Sequence, residues 1–204
     1  MIYEFRTYRL RPRALPEFLG LFGDALPRRE QFSKLAAFWY TEIGPLNEVI
    51  HVWPYENALE RTRIRAEAVK AGVWPPATGH LILDMKAEVF DALPFSPALD
   101  PSDHGPFFEM RTSTLKPFSI PTMVERWKDR IAARAELSPL IGVFSSDIGG
   151  LNRWMHIWAY RSLDERDVIR KRAEEQGIWP PPEESPAMDE ESKILLAAPF
   201  SPIK

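Results

Sequence analysis

Cysteine is absent from the 204 residues, which excludes disulfides, thiolate metal sites and a cysteine nucleophile. No apolar run approaches the length of a membrane-spanning helix. The N-terminus, Met1 to Arg6, reads as a strand and lacks the apolar core of a signal peptide. Charge of one sign is not in excess either. The 26 Lys and Arg against 29 Asp and Glu leave a formal net charge of −3, with both signs interspersed, so the electrostatic footprint of a nucleic-acid partner is missing. Glycine-rich phosphate loops, a serine-nucleophile elbow, a dinucleotide fingerprint and paired-histidine ligand spacing are all lacking. These absences lead to the expectation of a cytoplasmic protein without cofactor, metal centre, nucleic acid or membrane span.

What is present is an internal repeat, which decides the architecture before any local reading does. Glu42-Ile43-Gly44-Pro45-Leu46-Asn47, with His51-Val52-Trp53 and Tyr55, returns as Asp147-Ile148-Gly149-Gly150-Leu151-Asn152, with His156-Ile157-Trp158 and Tyr160. Glu4-Phe5-Arg6-Thr7 matches Glu109-Met110-Arg111-Thr112, and Gly72-Val73-Trp74-Pro75-Pro76 matches Gly177-Ile178-Trp179-Pro180-Pro181. Pro94 to Pro97 likewise matches Pro199 to Pro202, and every pair is separated by 105 positions without a gap. The chain therefore divides into repeats at 1–99 and 106–204, joined by a short crossing rich in Pro, Ser and Asp.

Within a copy the hydrophobic period switches in a readable order. Ile2 to Leu10 is extended. Leu15, Phe18, Leu19, Phe22 and Leu26 then fall at helical spacing, as do Ile120, Met123, Val124, Trp127 and Ile131. Two strands follow, near Ala37–Ile43 and Glu48–Trp53, joined through a Gly-Pro-Leu-Asn turn. A second helix opens on Asn57 or Ser162 with a glutamate three residues on, the signature of a capping box, and ends at Gly72 or Gly177. The last strand lies within Leu81 to Phe90 in copy one. In copy two it is expected at Ile194 to Ala197, after an acidic loop. The order βαββαβ, twice, is α+β: two tandem ferredoxin-like units whose antiparallel sheets cover each other by closing into one barrel.

Tyr3-Glu4-Phe5-Arg6-Thr7-Tyr8, Trp39 to Asn47 and Val49 to Trp53 together resemble the NIPSNAP family. The first copy fits closely and the second more loosely, with Gly150 in place of Pro45 and Phe144-Ser145-Ser146-Asp147 in place of Trp39-Tyr40-Thr41-Glu42. The resemblance implies the dimeric α/β-barrel fold, built here as a tandem within one chain. It implies no particular chemistry, because the family has no generally assigned activity. Animal members are linked to mitochondria and to vesicle or autophagy roles. The wider barrel superfamily includes cofactor-independent monooxygenases, haem-degrading enzymes and small isomerases.

Strand alternation separates two faces. Tyr3, Phe5 and Thr7 share one side of the first strand, while Glu4, Arg6 and Tyr8 share the other. Aliphatic Ile50 and Val52 alternate with Val49, His51, Trp53 and Tyr55. Assigning the aliphatic side to the helices points Glu4, Arg6, His51 and Trp53 into the barrel, with Glu109, Arg111, His156 and Trp158 from the second copy. His51 and His156 are then candidate general bases or ligand-orienting donors. Arg6 and Arg111 are candidate anchors for a carboxylate, phenolate or enolate. Glu4, Glu109, Trp53, Trp158 and Tyr40 complete the ligand-binding candidates, although the faces of the second strand do not separate, since Phe38 and Trp39 are both large and apolar. The ligand expected is a small aromatic or carbonyl compound within the barrel, bound or transformed without a cofactor. The bland reading of the same residues is a closed interior of Glu–Arg–His pairs satisfying one another. The functional alternative is a non-enzymatic interaction protein, an adaptor with a filled barrel and an exposed apolar patch near Trp74 or Trp179. A tandem barrel remains free to pair through its outer surfaces into a homo-oligomer.

Overall fold

A computed structural model describes all residues from Met1 to Lys204. The first half runs β1 (Ile2–Leu10), α1 (Leu15–Arg29), β2 (Ala37–Ile43), β3 (Glu48–Tyr55), α2 (Ala58–Lys70) and β4 (Ile82–Ala92). The second runs β5 (Phe107–Leu115), α3 (Ile120–Lys128), α4 (Ile131–Ala135), β6 (Leu140–Ile148), β7 (Arg153–Tyr160), α5 (Leu163–Glu175) and β8 (Ala187–Ala197). The single first helix of copy one is thus broken in copy two at Asp129-Arg130. The last strand of copy two begins at Ala187, seven residues before its expected start at Ile194. Its first half alternates poorly because Met188 to Ser192 are all exposed, yet the backbone of that stretch pairs with β5 from Leu115↔Ala187 to Arg111↔Ser192. A strand held by its ladder on one side, with water over its faces, carries no hydrophobic period to read.

Local signals behave as their chemistry requires. Gly44 and Asn47 in the β2–β3 turn have φ of 122° and 61°, and Gly149 and Asn152 repeat this at 120° and 56°; glycine and asparagine tolerate this region best. Asn57 Oδ1 and Ser162 Oγ accept from the backbone N–H of Glu60 and Glu165 at 2.9 and 3.0 Å, capping α2 and α5. Pro16 and Pro121 stand in the first turns of α1 and α3.

Each half orders its strands β4-β1-β3-β2 or β8-β5-β7-β6, and the free edges join across halves through β2–β8 and β4–β6. The result is a closed eight-stranded barrel, which leaves no exposed edge. The linker is tied to the C-terminus, with Ser102 N–H donating to Pro202 O and Lys204 N–H to Ser102 O at 3.0 and 2.8 Å. Leu99 and Ile203 are thereby inserted into the barrel core.

Here the expected faces are reversed. Tyr3, Phe5, Ile50, Val52, Phe108, Met110, Met155 and Ile157 form the barrel interior, with Trp39, Phe90, Phe144 and Leu195. Edge-on ring contacts knit it together: Tyr3–Phe144 at 5.3 Å, Phe5–Phe144 at 5.2 Å and Phe5–Phe90 at 5.3 Å. Glu4, Arg6, His51, Trp53 and their counterparts instead face the helices. Along β1, β3, β5 and β7 both faces are largely buried, one by helices and one by the opposite wall, so alternation separates the layers without saying which is which. The closed barrel takes the mainly apolar set. The polar set goes under the helices, where arginines of α2 and α5 can meet it.

Only one end of the interior is polar. A cavity of about 240 Å³ opens there, lined by charged residues of both halves. Lys193 Nζ lies 2.7 Å from Glu48, and Arg153 bonds Glu88. At positions related by the repeat, copy one has Glu48 and Glu88 where copy two has Arg153 and Lys193. The pairs therefore cross between unlike halves, and two like halves would bring like charges together. E48K/E88K is expected to lower unfolding stability by at least about 2 kcal/mol, with most of the loss recovered on adding R153E/K193E. Denaturant titration of the three proteins checks this; equal losses without recovery would show that the charges act independently.

Candidate functional site

Alternation along β1 and β3 brings Glu4, Arg6, Tyr8, His51, Trp53 and Tyr55 onto the helix-facing side of the sheet, and β5 and β7 do the same with Glu109, Arg111, Ser113, His156, Trp158 and Tyr160. The expected residues thus assemble as two separate sites, one per half, instead of converging in one barrel interior. Tyr40 packs against the same helix-side apolar layer in copy one but joins neither the ionic nor the imidazole cluster.

In the first half Glu4, fully buried, accepts from Arg6 Nη1 at 2.8 Å and from Arg61 Nη2 at 2.5 Å, with Arg65 at 3.5 Å. Burial pushes its carboxyl up, but the Arg61 hydrogen bond and the charges of Arg65, Arg6 and Arg61 outweigh that and hold it below the ordinary value. In the second half Glu109 is held the same way: against burial, Arg166 at 2.7 Å and Arg170 at 3.2 Å lower its pKa. Arg111 does not complete this cluster. Its Nη2 turns to Glu190, at 3.5 Å.

The histidines are defined by their tryptophans. Trp53 Nε1 donates to His51 Nδ1 at 2.7 Å, and Trp158 Nε1 to His156 Nδ1 at 2.8 Å. Indole can only donate, so Nδ1 carries no proton and the neutral ring bears it on Nε2. Both rings are neutral near pH 7. Burial lowers His51 far below its usual value, helped by Arg6, Arg65 and Arg29, and pushes His156 down to about 3, helped by Arg111. Each Nε2–H is therefore a donor, and the general-base role is not the one this geometry serves. His51 Nε2 is buried without a partner. His156 Nε2 makes no hydrogen bond within the protein and is less tightly sealed, since its ring lines an open cavity.

That cavity, about 690 Å³, lies between the sheet and the helices of the second half. Trp127, Trp158 and Trp179 supply aromatic wall, and Arg111, Arg126, Arg134 and Arg170 supply donors, with Glu109 and Glu190 as acceptors. Arg126 also holds the rim, donating to Glu183 O and Pro181 O, both at 2.8 Å. Arg134 lies 4.2 Å over the Trp158 ring and donates to Tyr160 Oη at 3.0 Å and Ser138 Oγ at 2.8 Å. Trp74 and Trp179 are docked in these layers, 5.0 Å from Phe22 and 4.5 Å from Trp127; they do not form an exposed patch. No three potential metal ligands converge in either half.

Several of these residues escaped the sequence reading. Arg29 and Arg134, and Arg65 and Arg170, repeat at the common offset of 105. A cation preserved in both copies of a helix that packs on the sheet was the available signal.

A closed antiparallel barrel formed by two ferredoxin-like halves, each with helices over its outer face, is the dimeric α/β-barrel architecture. It is shared over 97% of this chain with a putative monooxygenase from Fusobacterium nucleatum, at a TM-score of 0.64 and 10% identity, over 92% of that chain. At that identity the likeness concerns the fold alone. The NIPSNAP family model matches twice, at residues 3–97 and 108–202, and the chain belongs to that family. It is 30% identical to the mouse protein NipSnap homolog 3B over 99% of this chain and 85% of that protein. With human NipSnap homolog 3A it shares 29% identity over 100% of this chain and 86% of that protein.

Proposed function

We propose that the second half binds a small aromatic or carbonyl compound in the cleft between its sheet and helices, and that any turnover takes place there. The supporting observation is the unpartnered Nε2–H of His156 lining a cavity that also presents Arg111 and three tryptophan rings. Aromatic walls with a few directed polar groups are the usual make-up of a small-molecule site. A neutral imidazole N–H and a guanidinium lining one cavity are donors of the kind that stabilise developing negative charge on a carbonyl or enolate. His156 acts as electrophile in this reading, Arg111 as anion anchor and Trp158 as the positioning residue that fixes the tautomer. A barrel interior that is apolar apart from one polar end suits an adaptor equally well, but the aromatic cleft outside it is a feature that reading leaves unused.

The test is titration of the full chain with aromatic carboxylates, phenols and aromatic ketones, following indole N–H resonances. Trp127, Trp158 and Trp179 are expected to shift, and Trp39, sealed inside the barrel, to stay unmoved. Arg111→Ala is expected to weaken an aromatic carboxylate by about tenfold or more, the scale of one charge-assisted hydrogen bond. A panel that moves none of the three cleft indoles would sink the proposal.

A further inference from the structure

The two halves differ at a position on the helix-facing side of β1 and β5, beside the cleft of the second half. In the first half, Tyr8 takes the position held by Ser113 in the second. Its hydroxyl oxygen accepts from Arg6 Nε at 2.7 Å. Its ring stands edge-on to His51 at 4.9 Å, edge-on to Phe18 at 6.4 Å, and beneath the Arg6 guanidinium at 5.4 Å. The repeat counterparts of these three neighbours are Arg111, His156 and Met123, and all three line the open cleft of the second half. A phenol side chain therefore fills, in one copy, the space that is empty in the other.

Resting on the binding reading above, we infer that the cleft of the second half accepts a phenol, a ring bearing one hydroxyl, and that Tyr8 is a built-in copy of that ligand which closes the first half. The ligand's oxygen accepts from Arg111, and its ring edge packs against His156. The exchange of Tyr8 for Ser113 removes a whole phenol ring from this space, and the exchange of Ile82 for Ala187 widens it further. There the Ser113 hydroxyl donates to Glu190 at 3.1 Å, and Arg111 is held by the same carboxylate. Met85 occupies the Glu190 position in the first half. The open site thus has an acceptor for the hydroxyl proton that the closed site lacks. The cavity of about 690 Å³ leaves room beyond one ring, so substituents on the phenol are tolerated.

The probe is 4-methylphenol, compared with toluene, added to the full-length chain and followed by calorimetry and by the indole resonances of Trp53 and Trp158, one per half. The wild type is expected to bind one 4-methylphenol, shifting Trp158 and not Trp53, with toluene about tenfold weaker for want of the charge-assisted hydrogen bond. Tyr8→Ser is expected to bind two, with Trp53 now shifting. Ser113→Tyr is expected to bind none while unfolding no earlier than wild type. The double variant Y8S/S113Y moves the single site from the second half to the first. If Y8S proves too unstable to study, S113Y with the toluene comparison decides alone. Unchanged binding by S113Y, a single site in folded Y8S, or toluene matching 4-methylphenol would each overturn the inference. Aromatic carboxylates that shift Trp158 where phenols do not would overturn it too, while leaving the binding reading intact. Silence from every aromatic compound would instead remove that reading itself.

Discussion

At pH 5 the protein is expected to be about 4 kcal/mol less stable to unfolding than at pH 7, before its carboxylates begin to titrate. The cause is the pair of buried imidazoles. Each is neutral when folded, His51 far below its usual pKa and His156 at about 3, whereas in the unfolded chain each titrates near 6.5. The unfolded state therefore binds more protons below pH 6.5, so stability rises with pH. It is complete above that value and is lost as pH falls toward the folded pKa. One proton per histidine gives about 1.4 kcal/mol per pH unit, or roughly 2 kcal/mol each by pH 5. The groups facing His156 are Glu109, Arg111, Arg134 and Arg170. Three are cations, so they oppose protonation as burial does. Below about pH 4.5, Glu4 and Glu109 add to the loss with the same sign, because both have depressed folded values. Urea unfolding between pH 7 and 5 measures the slope. His156→Gln, which keeps an acceptor for Trp158 Nε1, is expected to halve it. A stability that stays flat across this range would mean that the histidines are not held neutral by burial.

Glu4→Gln is expected to cost about 3–5 kcal/mol, the loss typical when one partner of a buried ionic cluster is neutralised. Glu4 is fully buried and is the common anion of Arg6, Arg61 and Arg65. Neutralising it leaves three guanidinium groups around one site without their common anion, the most buried of them being Arg6. The comparison variant is Arg63→Ala on the same helix. Its partner Glu67, 3.0 Å away, is about half exposed, and such a pair contributes within about 0.5 kcal/mol. Denaturant titration of both variants gives the contrast directly. Equal losses would mean that the Glu4 cluster is solvated and that α2 is not anchored by it.

The reversed faces and the divided site have a single origin. Glu4 and Phe5 alternate plainly in the sequence, and so do His51 and Val52. Which of each pair meets a helix is settled by what lies beyond the strand, and that depends on edges joined across halves, β2 to β8 and β4 to β6. Arg61 and Arg65, the partners that make a buried Glu4 tolerable, lie far along the chain on α2. Nothing in the spacing of β1 announces them. The exchange of Tyr8 for Ser113 is visible in any alignment of the two halves, but a change of residue size acquires meaning only once Arg6, Phe18 and His51 are known to surround that position.

The sequence by itself determined the duplication, the order of elements, the caps at Asn57 and Ser162 and the turns at Gly44–Asn47 and Gly149–Asn152. These rest on backbone conformation and hydrogen bonds within a few residues, so local chemistry specifies them. The tertiary structure alone decided that the barrel core is apolar with a single polar end, that Glu, Arg, His and Trp lie under the helices, and that the cleft of the second half holds a serine where the first half holds the Tyr8 ring. Each of those depends on which surfaces the closed sheet brings together, and a polar side chain is stable only in the layer where its partners arrive.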